Sequence, residues 1–372
     1  MKATRKAALE RMNSFFENRK DGLYSKNRNY DKGKNKHTSV SMLSPYTRYR
    51  IILESELADL TSHSQENNEK FLKEVYWRTY WKGYLENFPS IWEEYKELCA
   101  MDLSSEISEN YQKALAAETQ FTVFNDWVNE LKETGYLHNH ARMWFASIWI
   151  HTLKLPWFLG ADFFLRHLLD GDEAVNTLSW RWVAGLHTKG KSYLARPSNI
   201  KKYTNDRYNP QGLASQALML TDEVEHLKTE IHSLESTPSD TVELLLVTSD
   251  DFSVEIDSAL AAKDFEKICI LKPSYDASSL VNNFLSEAAE DAKDRLSKIW
   301  PDRVEIIASL DDLDCDDSKI CGYLPPVGRN LDLVKAKPLL HQKAHWLRRA
   351  WDNNLWPHAT KGFFSFYRKA AP

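Results

Sequence analysis

The short run at residues 236–240 (STPSD) divides the chain into two halves that no single layer architecture accommodates. Before it, apolar residues recur at helical spacing in windows near 2–19, 44–62, 66–86, 89–99, 103–130, 138–153 and 160–170, with almost no strand-like alternation. After it, apolar runs at 242–248 (VELLLVT), 267–271 (KICIL) and 304–308 (VEIIA) alternate with helical stretches near 253–263 and 277–299. Runs too short for helices, yet apolar on both faces and separated by helices, predict buried parallel strands in an α/β layer. Two helical segments near 338–353 and 359–369 close the chain, and residues 222–235 read as one further acidic helix ahead of the linker. The expected organisation is an all-α domain over 1–220, an acidic helix and linker over 221–240, and a small Rossmann-like α/β domain with a mainly parallel sheet and C-terminal helices over 241–372.

A net charge of −5 argues on average against nucleic-acid binding, but the charge is segregated. Residues 1–50 carry 13 Lys and Arg against four acids, whereas residues 221–260 carry 11 acids against the single Lys228. Cys99, Cys269, Cys315 and Cys321 form no CxxC and no His-linked zinc spacing, so neither a metal site nor a disulfide framework is expected, and a reducing cytoplasm is the simplest compartment. The most hydrophobic stretch, 143–168, is broken by His151, Lys154 and Arg166, which excludes a membrane span there. No GxGxxG follows any of the expected strands, so the α/β half lacks a dinucleotide fingerprint.

Thirteen Trp, with 16 Tyr and 16 Phe, exceed what packing usually demands, and several stand in polar company. Asn139, Arg142 and Met143, at i, i+3 and i+4, share one helix face, an odd trio for a core stripe. Asp170 and Asp172 flank Gly171 and offer carboxylates to Arg142. Glu74, Trp77 and Arg78 repeat the same spacing on another helix, and Trp180 and Trp182, two apart, point to different sides of theirs. Taken singly, each is an ordinary ion pair, cap or core ring; the order in which they occur is what carries information.

That order resembles the photolyase and cryptochrome family. Its TGWxHNRxRM, IDW-like step, LxDxDxAxN and WQW appear here as TGYLHNHARM, LPW, LLDGDEAVN and WRW between residues 134 and 182. Upstream, TSVSMLSPYTRY (38–49) is similar to the family's phosphate-binding TSxLSPYLRF, FLKEVYWRTYW to its WLxELxWREF, and YSKNR to its Tyr and Arg ahead of that loop. The resemblance spans roughly residues 5–205 and implies an all-α, photolyase-type FAD-binding domain. It implies that Tyr24, Ser41, Met42, Leu43 and Ser44 hold the FAD phosphates with Arg78 nearby, and that Asn139 lies by the flavin. Arg142 would pair with Asp170, and Asp170 and Asp172 would face the polar edge of the isoalloxazine. Asn176 matches the position beside flavin N5, where an amide tolerates a protonated nitrogen. Glu74, Trp77, Asn139, Met143 and Trp182 match residues lining the lesion pocket of cyclobutane-dimer enzymes; members acting on (6-4) photoproducts usually carry His in place of Asn139 and Met143. Trp180 and Trp157 match the first two members of the family's electron-transfer chain. Its third member is not assignable, with Trp149 and Trp144 the candidates.

Departures are equally plain. The family places an α/β antenna domain ahead of its helical domain, but here about two dozen residues precede Tyr24 and an α/β pattern follows the helical half instead. No signal for an antenna pigment can be named. The family's PYFRIFNP, which contributes to its DNA face, is replaced by GKSYLARPSNIKKYT at 190–204, whose surroundings carry Lys189, Lys191, Arg196, Lys201, Lys202 and Arg207. An iron–sulfur variant is rejected, because Cys99 is the only cysteine in the helical half. The expectation is a monomeric cyclobutane pyrimidine dimer photolyase acting on dimer-containing DNA, with catalysis by Glu74, Asn176, Trp157 and Trp180. The alternative is a cryptochrome-like FAD photoreceptor without repair activity.

Overall fold

Leucine and β-branched residues dominate the expected strands, and each run becomes a strand; the first two are buried, whereas the third, at a sheet edge, is half-buried over 304–306. The computed structural model describes residues 1–17, 23–62, 69–222 and 224–370. Arg19, Lys20 and Asp21 of the basic segment and Glu223 of the acidic one lie outside these. β1 (Leu244–Val247), β2 (Lys267–Leu271), β3 (Val304–Ile307), β4 (Ile320–Tyr323) and β5 (His345–Leu347) form one parallel sheet in the order β3-β2-β1-β4-β5. The strand order reverses beside β1, as in doubly wound folds. β1 is buried throughout at the centre, with Leu245 opposite Ile268 on one side and Cys321 on the other. Leu244, Leu246, Cys269, Leu271, Ile307 and Ile320 form one apolar layer with Val334 and Leu340.

The chain divides into two compact units that interleave in sequence. The sheet unit comprises Met1–Glu17, Leu43–Pro89 and Leu227–Pro372; the helical unit comprises Asn18–Met42 and Ser90–His226. In the sheet unit, the long helix Glu69–Asn87 carries Trp77 and packs on the C-terminal helices through Tyr76, Trp77 and Tyr80. In the helical unit, Ser90–Cys99, Ser105–Leu115, Thr122–Thr134, Asn139–Ser147, Trp157–His167, Glu173–Ala184 and Pro197–Tyr203 surround a core in which Trp127, Trp144, Trp149, Phe124 and Phe145 are fully buried. Among the described residues, no helix is long and apolar enough to cross a membrane.

Several expected boundaries move. The described residues of the expected helix 222–235 form none. Val224 and Leu227 are exposed, so the segment has no apolar face to bury. Its second half instead runs extended along the sheet unit, with Thr229 N–H donating to Asn87 O and Glu235 bridging Leu347. The window at 103–130 breaks where Ala117 takes a φ of 60°. That at 338–353 is two short helices, Pro338–Lys343 and Ala350–Leu355, on either side of β5. Residues 138–153 are an α-helix only to Ser147, after which Ile148–Thr152 form one wide π turn.

Candidate flavin site

The helical unit brings the HNHARM and LLDGD segments together. His138 caps the helix Asn139–Ser147, its Nδ1 accepting from His140 N–H, while its Nε2 bonds to the carbonyl of Arg28, 2.9 Å away. The next histidine does the same: His140 Nδ1 lies 2.8 Å from Asn29 O. The YSKNR segment that carries Tyr24 is thereby tied to the start of this helix. Burial holds His138 well below its ordinary value, at about 4, despite the opposing charge of Asp31. His37, stacked on His138, bonds Glu130 at 2.8 Å and secures the same loop.

On that helix Asn139 is exposed and Arg142 and Met143 are half-buried, so this face is not consumed by the core. Arg142 donates through Nε to Leu137 O at 2.9 Å and through a terminal nitrogen to Asp170 Oδ2 at 2.9 Å. The expected pair is therefore formed. The other oxygen of Asp170, Oδ1, is buried and has no hydrogen-bond partner among the described residues. A buried carboxylate oxygen without a donor is costly, and the N–H of a bound heterocycle would satisfy it. This is the observation that fits a flavin to these residues. Asp172, two residues on, caps the helix Glu173–Ala184 by accepting from Val175 N–H at 2.9 Å.

Asn176 lies one turn into that helix, buried, and donates Nδ2 to Ala161 O at 2.8 Å. Because a carbonyl oxygen can only accept, this bond fixes which way the amide faces and turns Oδ1 away from Ala161 O. Trp180 follows on the same helix, 2% exposed, and Trp182, half-buried, stacks on Tyr193 with centroids 5.7 Å apart. Gly185 ends the helix with a φ of 82°, its N–H bonded to Arg181 O and Trp182 O. Trp157, also buried, has the Arg181 guanidinium 5.6 Å above its ring.

The phosphate-loop residues are divided in sequence between the two units. Tyr24, Ser41 and Met42 belong to the helical unit, and Leu43 and Ser44 to the sheet unit. Met42 takes a φ of 53°, rare for a residue with a side chain, and Leu43 returns to the right-handed region. Such alternation of hand turns successive N–H groups to one side, which suits an anion. In the sheet unit Arg78 pairs with Glu54 at 3.4 Å and donates to Arg48 O. Burial alone would raise the Glu54 carboxyl, but Arg50, Lys82 and Arg78 outweigh it and bring it to about 2. Glu74 and Trp77 are half-buried.

The loop that replaces the family's DNA-facing segment includes the helix Pro197–Tyr203, with Lys201 and Lys202 in its last turn. Lys189, Lys191, Arg196, Lys201, Lys202 and Arg207 are all exposed, although Arg207 is engaged by Asp31 at 3.0 Å. Sequence reasoning missed one cluster entirely. Glu94, Asp222 and His226 place ligand-type atoms within 4.8 Å of one another. The guanidinium of Arg181 lies among them, 3.0 Å from Glu94 and 2.6 Å from Asp222, so these acids already have their cation. Only the side chains' spacing in space, not along the chain, reveals that group.

Comparison with known proteins matches the same part of the chain. Residues 71–215 match the family model described as the FAD binding domain of DNA photolyase. The chain is 28% identical over 222 residues to a cryptochrome DASH of Idiomarina loihiensis, covering 55% of this chain and 46% of that protein. It is 27% identical over 193 residues to a deoxyribodipyrimidine photo-lyase of Streptomyces griseus, covering 47% of this chain and 41% of the relative. Among solved structures, a bacterial class III photolyase from Agrobacterium tumefaciens matches with a TM-score of 0.46 and 24% identity, over 55% of this chain and 43% of that one. The chain thus spans less than half the length of these curated relatives. Residues 71–215 are thus similar to the FAD binding domain of DNA photolyases, and it is through this region that the chain resembles photolyases and cryptochromes.

Proposed function

We propose that the chain is a light-driven DNA repair enzyme that splits cyclobutane pyrimidine dimers. The observation that carries this reading is the orientation of the Asn176 amide. With one Nδ2 hydrogen held by Ala161 O, Oδ1 is turned away from that carbonyl and is available as an acceptor, which suits a protonated flavin N5 and hence a reduced ring. FAD, when bound, supplies the photoexcited electron that opens the dimer and takes it back afterwards. The protein's part is positioning and exclusion of water. By side-chain chemistry, the indoles of Trp77 and of Trp182 are each suited to a flat contact with a puckered, flipped-out pyrimidine dimer, Met143 to a nonpolar one and Glu74 to a hydrogen bond with a base edge. Each of these four is half-buried in its own unit rather than sealed in a core.

Illumination of the purified protein with a dimer-containing oligonucleotide, under reducing conditions, is expected to restore the pyrimidines. Unchanged dimer would overturn the proposal. The photoreceptor alternative is separated in the dark: a repair enzyme binds damaged DNA in preference to intact DNA and loses that preference on Trp77→Ala or Trp182→Ala, whereas a photoreceptor has none to lose.

A further inference from the structure

The helical unit contains a ladder of oxidisable rings that starts at Trp180 and ends at a tyrosine. Trp180 and Trp149 have centroids 6.1 Å apart with planes at 83°, and Trp149 and Tyr111 follow at 5.9 Å and 78°. Both indoles are buried, Trp149 completely, while Tyr111 is half-buried and reaches solvent. The two indoles close over Gly160. A methyl there would sit 2.3 Å from Trp180 Cη2 and 3.0 Å from Trp149 Cε2, so only glycine permits their approach. Trp149 is fixed by Nε1 donating to Pro156 O at 2.9 Å, and Phe124, Phe145 and Phe163 pack around it.

Trp157 opens onto different rings. Besides Phe158, its ring packs with Tyr95 at 6.0 Å, which packs in turn with Trp92 at 5.1 Å, and these two are 4% and 3% exposed. Both of these rings are buried. This second branch also runs beneath cations: Arg181 lies over Trp157, and Lys96 Nζ lies 5.9 Å from the Trp92 ring. A cation over an aromatic face is attracted to the neutral ring and opposes positive charge on it. At the other terminus the Asp162 carboxylate acts in the opposite sense. Burial and Asp162 raise the Tyr111 phenol above its ordinary value, with its ion-pair partner Arg166 partly offsetting, so the resting phenol keeps its proton and a nearby negative charge favours its oxidation.

Resting on the reading of Trp180 as the flavin-side tryptophan of a light-driven enzyme, we propose that Trp149 and Tyr111 complete the electron-transfer chain, with Tyr111 as its terminal donor. Trp180 gives one electron to the photoexcited FAD, Trp149 refills Trp180, and Tyr111 refills Trp149 while its phenolic proton passes to solvent. A soluble thiol then returns one electron and one proton to the tyrosyl radical.

The test is flash photolysis of the flavin-loaded protein, with the radical identified by electron paramagnetic resonance before thiol is added. The wild-type chain is expected to give a long-lived neutral tyrosyl radical. Tyr111→Phe, which removes one half-buried hydroxyl, should abolish it with flavin absorbance and melting curve retained, and Trp149→Phe should lower its yield at least tenfold with flavin absorbance retained and melting shifted down. Tyr95→Phe should leave it in place. Absence of a tyrosyl radical in the wild type, its survival in Tyr111→Phe, or its loss in Tyr95→Phe would overturn the branch. A protein that forms this radical but splits no dimer would keep the branch and lose the repair reading.

Discussion

Trp77 and Phe363 lie face to face, centroids 3.7 Å apart and planes 8° from parallel, so the C-terminal helix Phe363–Ala370 supports the indole expected to meet the lesion. Phe363 is buried, whereas its neighbour Phe364 is 69% exposed. Phe363→Ala should therefore lower stability by about 3–5 kcal/mol, as for other buried phenylalanines, and Phe364→Ala by less than about 0.5 kcal/mol. Urea denaturation of the two variants checks this; equal midpoints would show that the stack contributes nothing.

Asp170 makes its own prediction. Asp170→Asn keeps the shape but removes the charge that Arg142 pairs with and changes the group offered at the unpartnered position. A charge-assisted hydrogen bond contributes about 1.5–3 kcal/mol, so FAD should bind about ten- to hundredfold more weakly. Equilibrium titration of the apoprotein with FAD measures it. Unaltered affinity would place the flavin elsewhere.

Replacement of Asn176 by Asp would set a carboxylate where Nδ2 now lies, 2.8 Å from Ala161 O. Two acceptors repel, so the new carboxyl would be protonated more readily in the folded protein than in the unfolded chain. A folded-state value raised above the unfolded one gives stability that is present at low pH and lost as pH rises through the folded value. Asn176→Asp should accordingly melt closest to wild type near pH 4 and fall behind by about 1–3 kcal/mol near pH 8. A deficit that is constant with pH would mean that the amide faces the other way.

How much of this could be read from the chain depended on whether a feature is local. The Asn139, Arg142, Met143 face was legible because helical spacing alone puts the three together, and KICIL was legible because its residues suit only a buried strand. β4 was not. Its ICGY is short and contains Gly322, whose necessity appears only when β1 is alongside: a Cβ there would lie 2.4 Å from Leu246 O. β5 lay inside a window with helical spacing, and its pairing with β4 decided otherwise. The interleaving of the two units was equally hidden, since helical periodicity over 44–62 and 66–86 says nothing about which core a helix joins. In the site, the partners of Arg181 come from residues 94, 222 and 226, and that of Trp77 from residue 363. Separation in sequence is what concealed them.

His138 predicts how the site responds to acid. Its Nδ1 accepts from the His140 N–H as a helix cap, and its Nε2–H donates to Arg28 O, so both ring nitrogens are used in the neutral form. A second proton would turn Nδ1 from acceptor to donor against an N–H group. Burial accordingly lowers this histidine from 6.5 to about 4. When the folded value of a base is depressed, the unfolded chain takes up the proton first. Stability is then complete above about pH 6.5 and is lost as pH falls toward about 4, by an amount of roughly 3 kcal/mol. His140 and His151, also lowered by burial, act in the same direction. His138→Gln removes one titration but not theirs, so the difference in denaturation free energy between wild type and variant isolates it. That difference should shrink steadily between about pH 7 and about pH 4.5. A difference independent of pH would mean that His138 keeps an ordinary titration in the folded protein, and that the tie between the Tyr24 segment and the flavin-facing helix is insensitive to acid.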